Sequence, residues 1–239
     1  MQASLFDKSQ EYDALLNQGL RLTGETKHYF AAERIRDLRE QLASFEPRRI
    51  LDFGCGIGDT ALQLAAAFPD SQVLGVDSAV AAIGHARERY ANERISFVTL
   101  EAFEPRGDFD LCYCSGVFHH VPKTERTRAL QLIWDALSEG GRFALFENNP
   151  WNPGTRIVMN RIPFDADAEP LTPPEAASLL RGATWQLLGA PRFLFYFPRW
   201  LAPLRRLEPR LVHIPFGGQY YLLAAKRTAA APAGPQADE

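Results

Sequence analysis

The chain has 239 residues, of which 46% are hydrophobic and 23% are charged, and its formal net charge is −3. This composition is typical of a globular protein with a substantial core, and the net charge gives no general attraction to nucleic acid. The sequence has no apolar run of about 18 residues, and residues 1–8 lack the features of a signal peptide, so neither a transmembrane helix nor secretion is expected. The cysteines, Cys55, Cys112 and Cys114, have neither disulfide nor metal spacing, which predicts reduced thiols and a cytoplasmic protein.

The predicted elements begin with helices before Pro47. Over residues 26–44, four apolar residues recur at helical spacing: Ala31, Ile35, Leu38 and Leu42. Glycines separate this helix from an earlier one over residues 11–16. We expect residues 1–46 to form a lid over the ligand edge of a sheet. The lid would bring four side chains near a substrate, with simple packing as the alternative: Tyr12, His28, Tyr29 and Phe30.

Five apolar runs alternate with helical patterns over the next hundred residues. The first predicted strand is the apolar run Ile50-Leu51, and the next four cover residues 72–76, 95–100, 109–114 and 142–146. Helices are expected over residues 60–68, over 78–90 with Ser78 as the N-cap, and over 123–138 before Gly140 and Gly141. This alternation predicts an α/β fold with a doubly wound, mostly parallel sheet.

The last third breaks the alternation. Residues 152–173 are expected to form a loop, residues 172–181 a helix, and residues 185–197 and 219–226 two strands paired in antiparallel fashion. Residues 228–239 have the composition of a disordered tail. We therefore predict one domain over residues 1–227, with a ligand-binding core over 47–150 and a substrate-side insertion and final strand pair over 151–227.

A glycine-rich turn follows the first predicted strand and carries the main functional signal. The turn reads Asp52-Phe53-Gly54-Cys55-Gly56-Ile57-Gly58-Asp59. A dinucleotide fingerprint, G-x-G-x-x-G from Gly54, needs a glycine where Asp59 stands. The carboxylates of Asp52 and Asp59 would repel a pyrophosphate and attract an ammonium or a sulfonium. S-adenosylmethionine carries both cations and no phosphate.

Two further acidic residues end the next two strands. Asp77 comes 19 residues after Gly58, where a carboxylate can accept hydrogen bonds from both hydroxyls of a ribose. Glu101 could accept from an adenine amino group, and the backbone amide of Ala102 could donate to a ring nitrogen. Because the carboxyl ends of parallel strands line one crevice, three acids at three successive strand ends predict a nucleoside site.

Residues 48–147 resemble the class I S-adenosylmethionine-dependent methyltransferases in motif order and spacing. The similar motifs are Ile50–Gly58, the run ending at Asp77, Phe97–Ala102, Phe109–Val121 and Leu137–Glu147. The resemblance implies a Rossmann-like, seven-stranded sheet with one reversed strand, and S-adenosyl-L-methionine converted to S-adenosyl-L-homocysteine. It also implies these cofactor-binding residues: Asp52, Gly54, Cys55, Gly56, Asp77, Ser78, Glu101, Ala102, Cys114 and Ser115.

Catalysis by such an enzyme requires alignment of an acceptor with the methyl–sulfur bond, and an oxygen acceptor can need a base. Histidine suits this task, and His119 and His120 follow the fourth strand. We expect His120 to face the site, with His119 as a base or substrate contact; a purely structural turn is the alternative. Glu147, at the end of the fifth strand, could also bind or deprotonate the acceptor. No metal is expected.

The acceptor is predicted to be a small molecule methylated at oxygen or nitrogen by in-line displacement. The alternatives are a carbon acceptor of quinone or polyketide type, a lipid-linked acceptor, an NAD-dependent oxidoreductase and a non-catalytic binding protein. The segment 191–210 combines aromatic residues with five arginines, which suggests contact with an acidic or lipid-linked acceptor or a membrane, or a solvated basic face. Asn149-Pro150-Trp151 is similar to the Asn-Pro-Pro-aromatic motif of DNA adenine methyltransferases. It lacks the second proline, however, and follows the fifth predicted strand instead of the fourth. The oligomeric state is left open.

Overall fold

The computed structural model of the chain describes residues 19–162, 168–182 and 185–227. The predicted helix over residues 11–16, the lid residue Tyr12 and the predicted tail over 228–239 lie outside these ranges. No helix within them has the length and apolar character needed to cross a membrane.

Strands and helices alternate through the first two thirds of the described chain. The strands are β1 (Arg49–Phe53), β2 (Gln72–Asp77), β3 (Ile95–Thr99), β4 (Phe109–Ser115), β5 (Leu137–Asn148), β6 (Gln186–Leu187), β7 (Arg192–Leu194) and β8 (Gln219–Ala225). The α-helices are α1 (Lys27–Leu42), α2 (Asp59–Ala67), α3 (Val80–Tyr90), α4 (Lys123–Ala136), α5 (Pro153–Met159), α6 (Pro173–Gly182) and α7 (Glu208–Leu211). Turns of 3₁₀ helix span Arg21–Thr23, Leu100–Ala102 and Arg199–Leu207.

The strands form one sheet in the order β3-β2-β1-β4-β5-β8-β6, with β7 also pairing with β8. β1 to β5 are parallel, whereas β8 runs antiparallel to β5, from Arg142 opposite Ala225 to Asn148 opposite Gln219. The predicted α/β fold with a doubly wound, mostly parallel sheet and one reversed strand is confirmed. The strand order reverses between β1 and β4, and a ligand crevice is expected at the carboxyl ends of these two strands.

The long edge strand predicted over residues 185–197 is wrong, because the edge is interrupted. β6 and β7 both pair with β8 and occupy one edge position. Gly189 lies between them with φ +114°, and Pro191 has no N–H to donate to a strand partner. The pairing therefore stops after Leu187 and resumes at Arg192. Counted by position, the sheet is seven strands wide.

Three other predictions of local structure are wrong. α4 ends at Ala136, and β5 begins at once at Leu137, so the glycine pair lies inside β5. Ser78 is not an N-cap, since α3 is preceded by Ala79 and has no side-chain cap. The predicted loop over residues 152–173 contains α5, whose N-cap Asn152 accepts a 3.0 Å hydrogen bond from the Thr155 N–H.

The core covers both faces of the sheet and includes the predicted stripe of α1. Ala31, Ile35, Leu38 and Leu42 are all buried. Asp37 of the same helix accepts two hydrogen bonds from Arg192 at 2.8 and 3.0 Å and one from the Tyr221 hydroxyl at 2.7 Å. These contacts hold α1 against β7 and β8.

Candidate functional site

The glycine turn after β1 is shaped by backbone that only glycine adopts without strain. Gly54, Gly56 and Gly58 have φ values of +78°, +53° and +86°. A Cβ on Gly54 would approach Val117 to 2.2 Å, whereas a Cβ on Gly56 would meet nothing within 4 Å. Gly54 therefore seats the turn against the loop after β4, and Gly56 leaves open space for a ligand.

Asp52 lies beneath this turn and lacks a full set of partners. Its side chain is buried, and its Oδ2 atom accepts no hydrogen bond from any residue that the structure describes. Burial, followed by the charges of Asp59 and Asp77, raises the pKa of Asp52 to about 8, against the opposing effect of Arg34. A cation placed beside this carboxylate would supply the missing partner and stabilise its ionised form.

The Asp77 carboxylate accepts hydrogen bonds that stabilise the glycine turn. Its Oδ2 accepts a 2.8 Å hydrogen bond from the Gly56 N–H, and its Oδ1 accepts one of 2.9 Å from the Ala79 N–H. A carboxylate has about four acceptor positions, so two of them are left for other donors. Asp77 thus fixes the glycine turn and can still accept from a ligand.

A cavity of about 530 Å³ opens above the carboxyl ends of β1, β4 and β5. It is lined by seven of the residues predicted for the site: Asp52, Gly54, Cys55, Gly56, Ser115, His119 and His120. The other six predicted residues do not line it: Asp77, Ser78, Glu101, Ala102, Cys114 and Glu147. Four of these six, Asp77, Ser78, Glu101 and Ala102, lie at or just after the ends of β2 and β3, on the far side of the glycine turn. Ser78, Glu101 and Ala102 are exposed there. The crevice thus has an open half over β2 and β3 and an enclosed half over β4 and β5.

We call the strand ends below the cavity its floor, and the floor contains a buried histidine–carboxylate pair. His119 Nδ1 lies 2.6 Å from Glu147 Oε2, and both side chains are almost fully buried. The other Glu147 oxygen accepts a 2.9 Å hydrogen bond from the Phe118 N–H. His120 lines the cavity beside His119, with the ring centres 4.1 Å apart. The structure therefore brings all three predicted catalytic residues together, with Glu147 behind His119.

Arg126 fixes the turn that carries these histidines, a role the sequence did not indicate. Its guanidinium donates to the carbonyls of Phe118 and Val121, at 3.1 and 3.0 Å, and to that of Glu169 at 2.8 Å. The available signal was an arginine at helical spacing from Leu130 and Ile133, but its partners are backbone atoms that no residue pattern identifies.

Helix α1 and residues 195–205 form the roof of the cavity, and ion pairs tie this roof in place. Lys27 Nζ lies 3.1 Å from Asp59 Oδ2, and Arg205 donates a 2.8 Å hydrogen bond to Glu25. Arg205 also lies over the Tyr29 ring, 4.7 Å from its centre. The sequence analysis did not single out Lys27 or Glu25. The Lys27 contact compensates the charge of Asp59 that was expected to face a ligand.

Arg34 joins the roof to the floor. Its Nε donates a 3.0 Å hydrogen bond to the Tyr113 hydroxyl on β4, and its Nη1 donates one of 2.9 Å to Gln219 on β8. Burial raises the pKa of Tyr113, and Arg34 opposes this shift, so the phenol stays neutral.

The inner surface of the roof is aromatic. Phe30 and Phe195 pack edge to face with ring centres 4.8 Å apart, and Tyr29 lies 6.3 Å from Phe195. Tyr29 and Phe30, two of the predicted lid residues, line the cavity, whereas the His28 side chain is 61% exposed and does not. The roof thus offers an acceptor flat apolar surfaces.

Two cysteines and an asparagine near the site are unsuited to a catalytic role. Burial raises the pKa of the Cys55 and Cys114 thiols, so neither is a nucleophile at neutral pH. Asn149 is fully buried and donates to the carbonyls of Pro215 and Gly217 at 3.1 and 2.8 Å. The asparagine of the Asn-Pro-Trp run therefore supports the loop before β8 and does not face the cavity.

Comparison with known proteins gives matches to methyltransferases. A family model described as "Methyltransferase domain" matches residues 50–141. Trans-aconitate 2-methyltransferase of Rhodopseudomonas palustris (strain BisB5) is 29% identical over 139 residues, which cover 57% of this chain and 54% of the relative. The match thus spans about half the length of this curated relative.

Solved structures share the fold at low sequence identity. A SAM-dependent methyltransferase from Archaeoglobus fulgidus has a TM-score of 0.63 and 16% identity, over 84% of this chain and 95% of its own. The cyclase SpnF has a TM-score of 0.62 and 19% identity, over 93% of this chain and 96% of its own. These likenesses concern the fold alone. Residues 50–141 thus match a methyltransferase domain, and the chain shares its fold with a SAM-dependent methyltransferase.

Proposed function

We propose that the chain transfers a methyl group from S-adenosylmethionine to a neutral, apolar small molecule at an oxygen or a nitrogen. One observation carries this proposal: a single cavity joins Asp52, whose Oδ2 has no hydrogen-bond partner among the described residues, to the His119–Glu147 pair. The first group suits a cationic cofactor, and the second suits removal of a proton from an acceptor.

The residues at the glycine turn fit the proposed cofactor. The buried Oδ2 of Asp52 needs a donor, and the ammonium of a methionine moiety is one. Asp77, Glu101 and Ala102 at the open half of the crevice would hold the adenosine, with Ser78, Cys114 and Ser115 beside the turn. When bound, S-adenosylmethionine supplies an electrophilic methyl group on sulfur, and in-line attack by the acceptor leaves S-adenosylhomocysteine.

His119 is the proposed general base. Glu147 holds Nδ1 and so orients the ring, which lines the cavity. The acceptor's proton is taken up at the other ring nitrogen, Nε2, and the Glu147 carboxylate stabilises the imidazolium that forms. His120 would contact the acceptor from the adjacent wall. A buried base of this kind favours an O–H or N–H acceptor over a carbon acceptor.

Charge in the cavity argues against the tricarboxylate acceptor that the name of the Rhodopseudomonas palustris relative implies. Three cationic side chains other than histidine line the cavity in the described part of the chain: Lys27, Arg34 and Arg205. Lys27 and Arg205 each have an acidic partner. One remaining guanidinium does not balance three carboxylates in a water-poor cavity. The aromatic roof fits a flat, uncharged acceptor better.

A methyl-transfer screen tests the proposed function. Labelled S-adenosylmethionine would be incubated with hydroxylated and amino-substituted aromatic compounds, a quinol and trans-aconitate. We expect transfer to neutral aromatic acceptors and none to trans-aconitate. Faster transfer to trans-aconitate than to every neutral compound would overturn the acceptor class, and binding of the cofactor without transfer to any acceptor would indicate a non-catalytic protein.

A further inference from the structure

Three separate segments around the mouth of the cavity share one local pattern. Each has an exposed arginine directly followed by an exposed hydrophobic residue that lines the cavity: Arg21–Leu22, Arg156–Ile157 and Arg199–Trp200. The hydrophobic members are 50%, 49% and 74% exposed, respectively. We call these three pairs the rim. Large apolar side chains exposed together at one opening indicate a contact surface.

The rim segments touch one another, so the pattern belongs to one surface. Arg199 donates to the Gly24 carbonyl at 3.5 Å, and a Cβ on Gly24 would lie 2.9 Å from Arg199 Cβ. A Cβ on Gly19 would lie 2.5 Å from the Ile162 side chain, just past α5. The segment bearing Arg21 is thus in contact with the segments that bear the other two arginines.

The charge of this region has one sign. Segments 19–24, 153–162 and 198–216 contain seven arginines and a single acidic residue, Glu208. The Glu208 carboxylate is turned inward, where it accepts from the N–H groups of Tyr196 and Phe197 at 3.2 and 3.0 Å. The nearby Glu25 is paired with Arg205. Among the described residues of these three segments, the exposed charge is therefore positive, although the whole chain has a formal charge of −3.

Further exposed apolar residues continue this surface beyond the rim. In the 3₁₀ helix after Pro198 and the loop that follows α7, these are Leu204, Leu207, Ile214 and Phe216. Arg206 and Arg210 lie among them and are exposed. Arginines interleaved with tryptophan, leucine and phenylalanine match the boundary of a lipid bilayer, where the apolar groups enter the acyl region and guanidinium groups meet phosphates.

We propose that the rim docks this protein on an anionic lipid bilayer, with the cavity mouth facing the membrane. Charge decides between the candidate occupants. A second copy of the chain would bring arginines against arginines, and a zwitterionic bilayer would leave them without counter-charges. An anionic bilayer satisfies both the arginines and the exposed apolar side chains. This docking does not depend on methyl transfer, because it uses only the outer surface of the mouth.

Vesicle flotation tests the proposal with the full chain. Vesicles of phosphatidylglycerol and phosphatidylcholine would be compared with vesicles of phosphatidylcholine alone. We expect the protein to float with the anionic vesicles only, and its binding to weaken as salt is raised. Absence of the protein from the anionic vesicle fraction at low salt would overturn the proposal.

Variants test whether vesicle binding depends on the rim arginines in particular or on any exposed arginines. The triple variant Arg21→Ala, Arg156→Ala, Arg199→Ala should lower the partition coefficient about a hundredfold, from about fivefold for each arginine. The matched control, Arg106→Ala, Arg128→Ala, Arg181→Ala, removes three exposed arginines on other elements and should float like the unmodified chain. Equal flotation of the triple variant and the control would overturn the proposal. Circular dichroism would confirm that each variant is folded before it is compared.

Tryptophan fluorescence gives a second, independent readout. Trp200 is the most exposed tryptophan among the described residues at 74%, Trp151 is 45% exposed, and Trp185 is buried. Anionic vesicles should shift the emission of the unmodified chain to shorter wavelength, and Trp200→Phe should abolish most of this shift. A shift of the same size in Trp200→Phe would show that Trp200 does not enter the bilayer, which would overturn the proposed docking. Neither readout requires cofactor or acceptor, so failure of the proposed function would leave this test intact.

Discussion

The floor and the roof of the cavity are held by different kinds of contact. The floor is built from consecutive residues at strand ends, and its glycine turn is fixed by backbone hydrogen bonds to Val76 and by the carboxylate of Asp77. The roof is held by side chains from distant parts of the chain, as when Arg205 meets Glu25 across 180 residues. Changes in the floor should therefore alter chemistry and cofactor binding, whereas changes in the roof should alter acceptor binding.

The largest effect is expected from His119, the proposed base in the floor. His119→Ala should lower kcat by about 10²- to 10⁴-fold with an oxygen acceptor, the usual contribution of a general base. Binding of S-adenosylhomocysteine should change little. His85→Ala, a half-buried residue of α3 that does not line the cavity, is the matched control and should keep full activity. A kcat for His119→Ala within threefold of the control would remove His119 from the chemistry.

Glu147→Gln tests whether the negative charge beside His119 contributes to catalysis. Glutamine keeps an acceptor for the Phe118 N–H and removes the charge. We expect a smaller loss of kcat than for His119→Ala and a changed pH–rate profile, since the carboxylate stabilises the imidazolium. A reduced kcat with an unchanged pH–rate profile would indicate that Glu147 only supports the turn.

Asp52 should show opposite effects on stability and on cofactor binding. Burial raises the pKa of Asp52 to about 8 in the folded chain, compared with about 3.9 in an unfolded one. The folded state therefore binds more protons between these values, and the free energy of unfolding should fall as the pH rises from about 4 to 8. Asp52→Asn lacks this dependence and should melt at a higher temperature than the unmodified chain at pH 8.

The same variant should weaken binding of S-adenosylhomocysteine by about 1–3 kcal/mol, since an ionised partner for the ligand's ammonium is lost. In the unmodified chain, binding should be tighter at pH 8 than at pH 6, because only the ionised carboxylate pairs with the ligand. Thermal melts and titration calorimetry at both pH values measure these effects. Equal affinity of Asp52→Asn and the unmodified chain at pH 8 would move the cation-binding role to another residue.

A roof substitution should have the smallest effect. Arg205→Ala removes the pair with Glu25, the contact with the Tyr29 ring and a hydrogen bond to the Phe197 carbonyl, at the cost of about 1–3 kcal/mol of stability. The KM for the acceptor should rise, while affinity for S-adenosylhomocysteine stays within about twofold. A loss of cofactor affinity as large as that of Asp52→Asn would contradict the division between floor and roof.

The same difference explains how much the sequence could predict. The floor follows from local patterns, since a strand, glycines and a carboxylate in register define the turn around Asp52, and the parallel sheet aligns it with His119 and Glu147. The roof depends on long-range contacts such as the hydrogen bond from Arg34 to Gln219, 185 residues apart, which no local pattern indicates. The interrupted edge strand was missed because the effects of Gly189 and Pro191 were outweighed by the aromatic residues that follow.

The central claim, that the floor binds S-adenosylmethionine, is tested most directly by titration calorimetry of the unmodified chain at pH 8. We predict that S-adenosylhomocysteine binds at a single site and that NADH produces no binding heat, because Asp52 lies where a pyrophosphate would have to approach. Tight binding of NADH, with none of S-adenosylhomocysteine, would contradict the account.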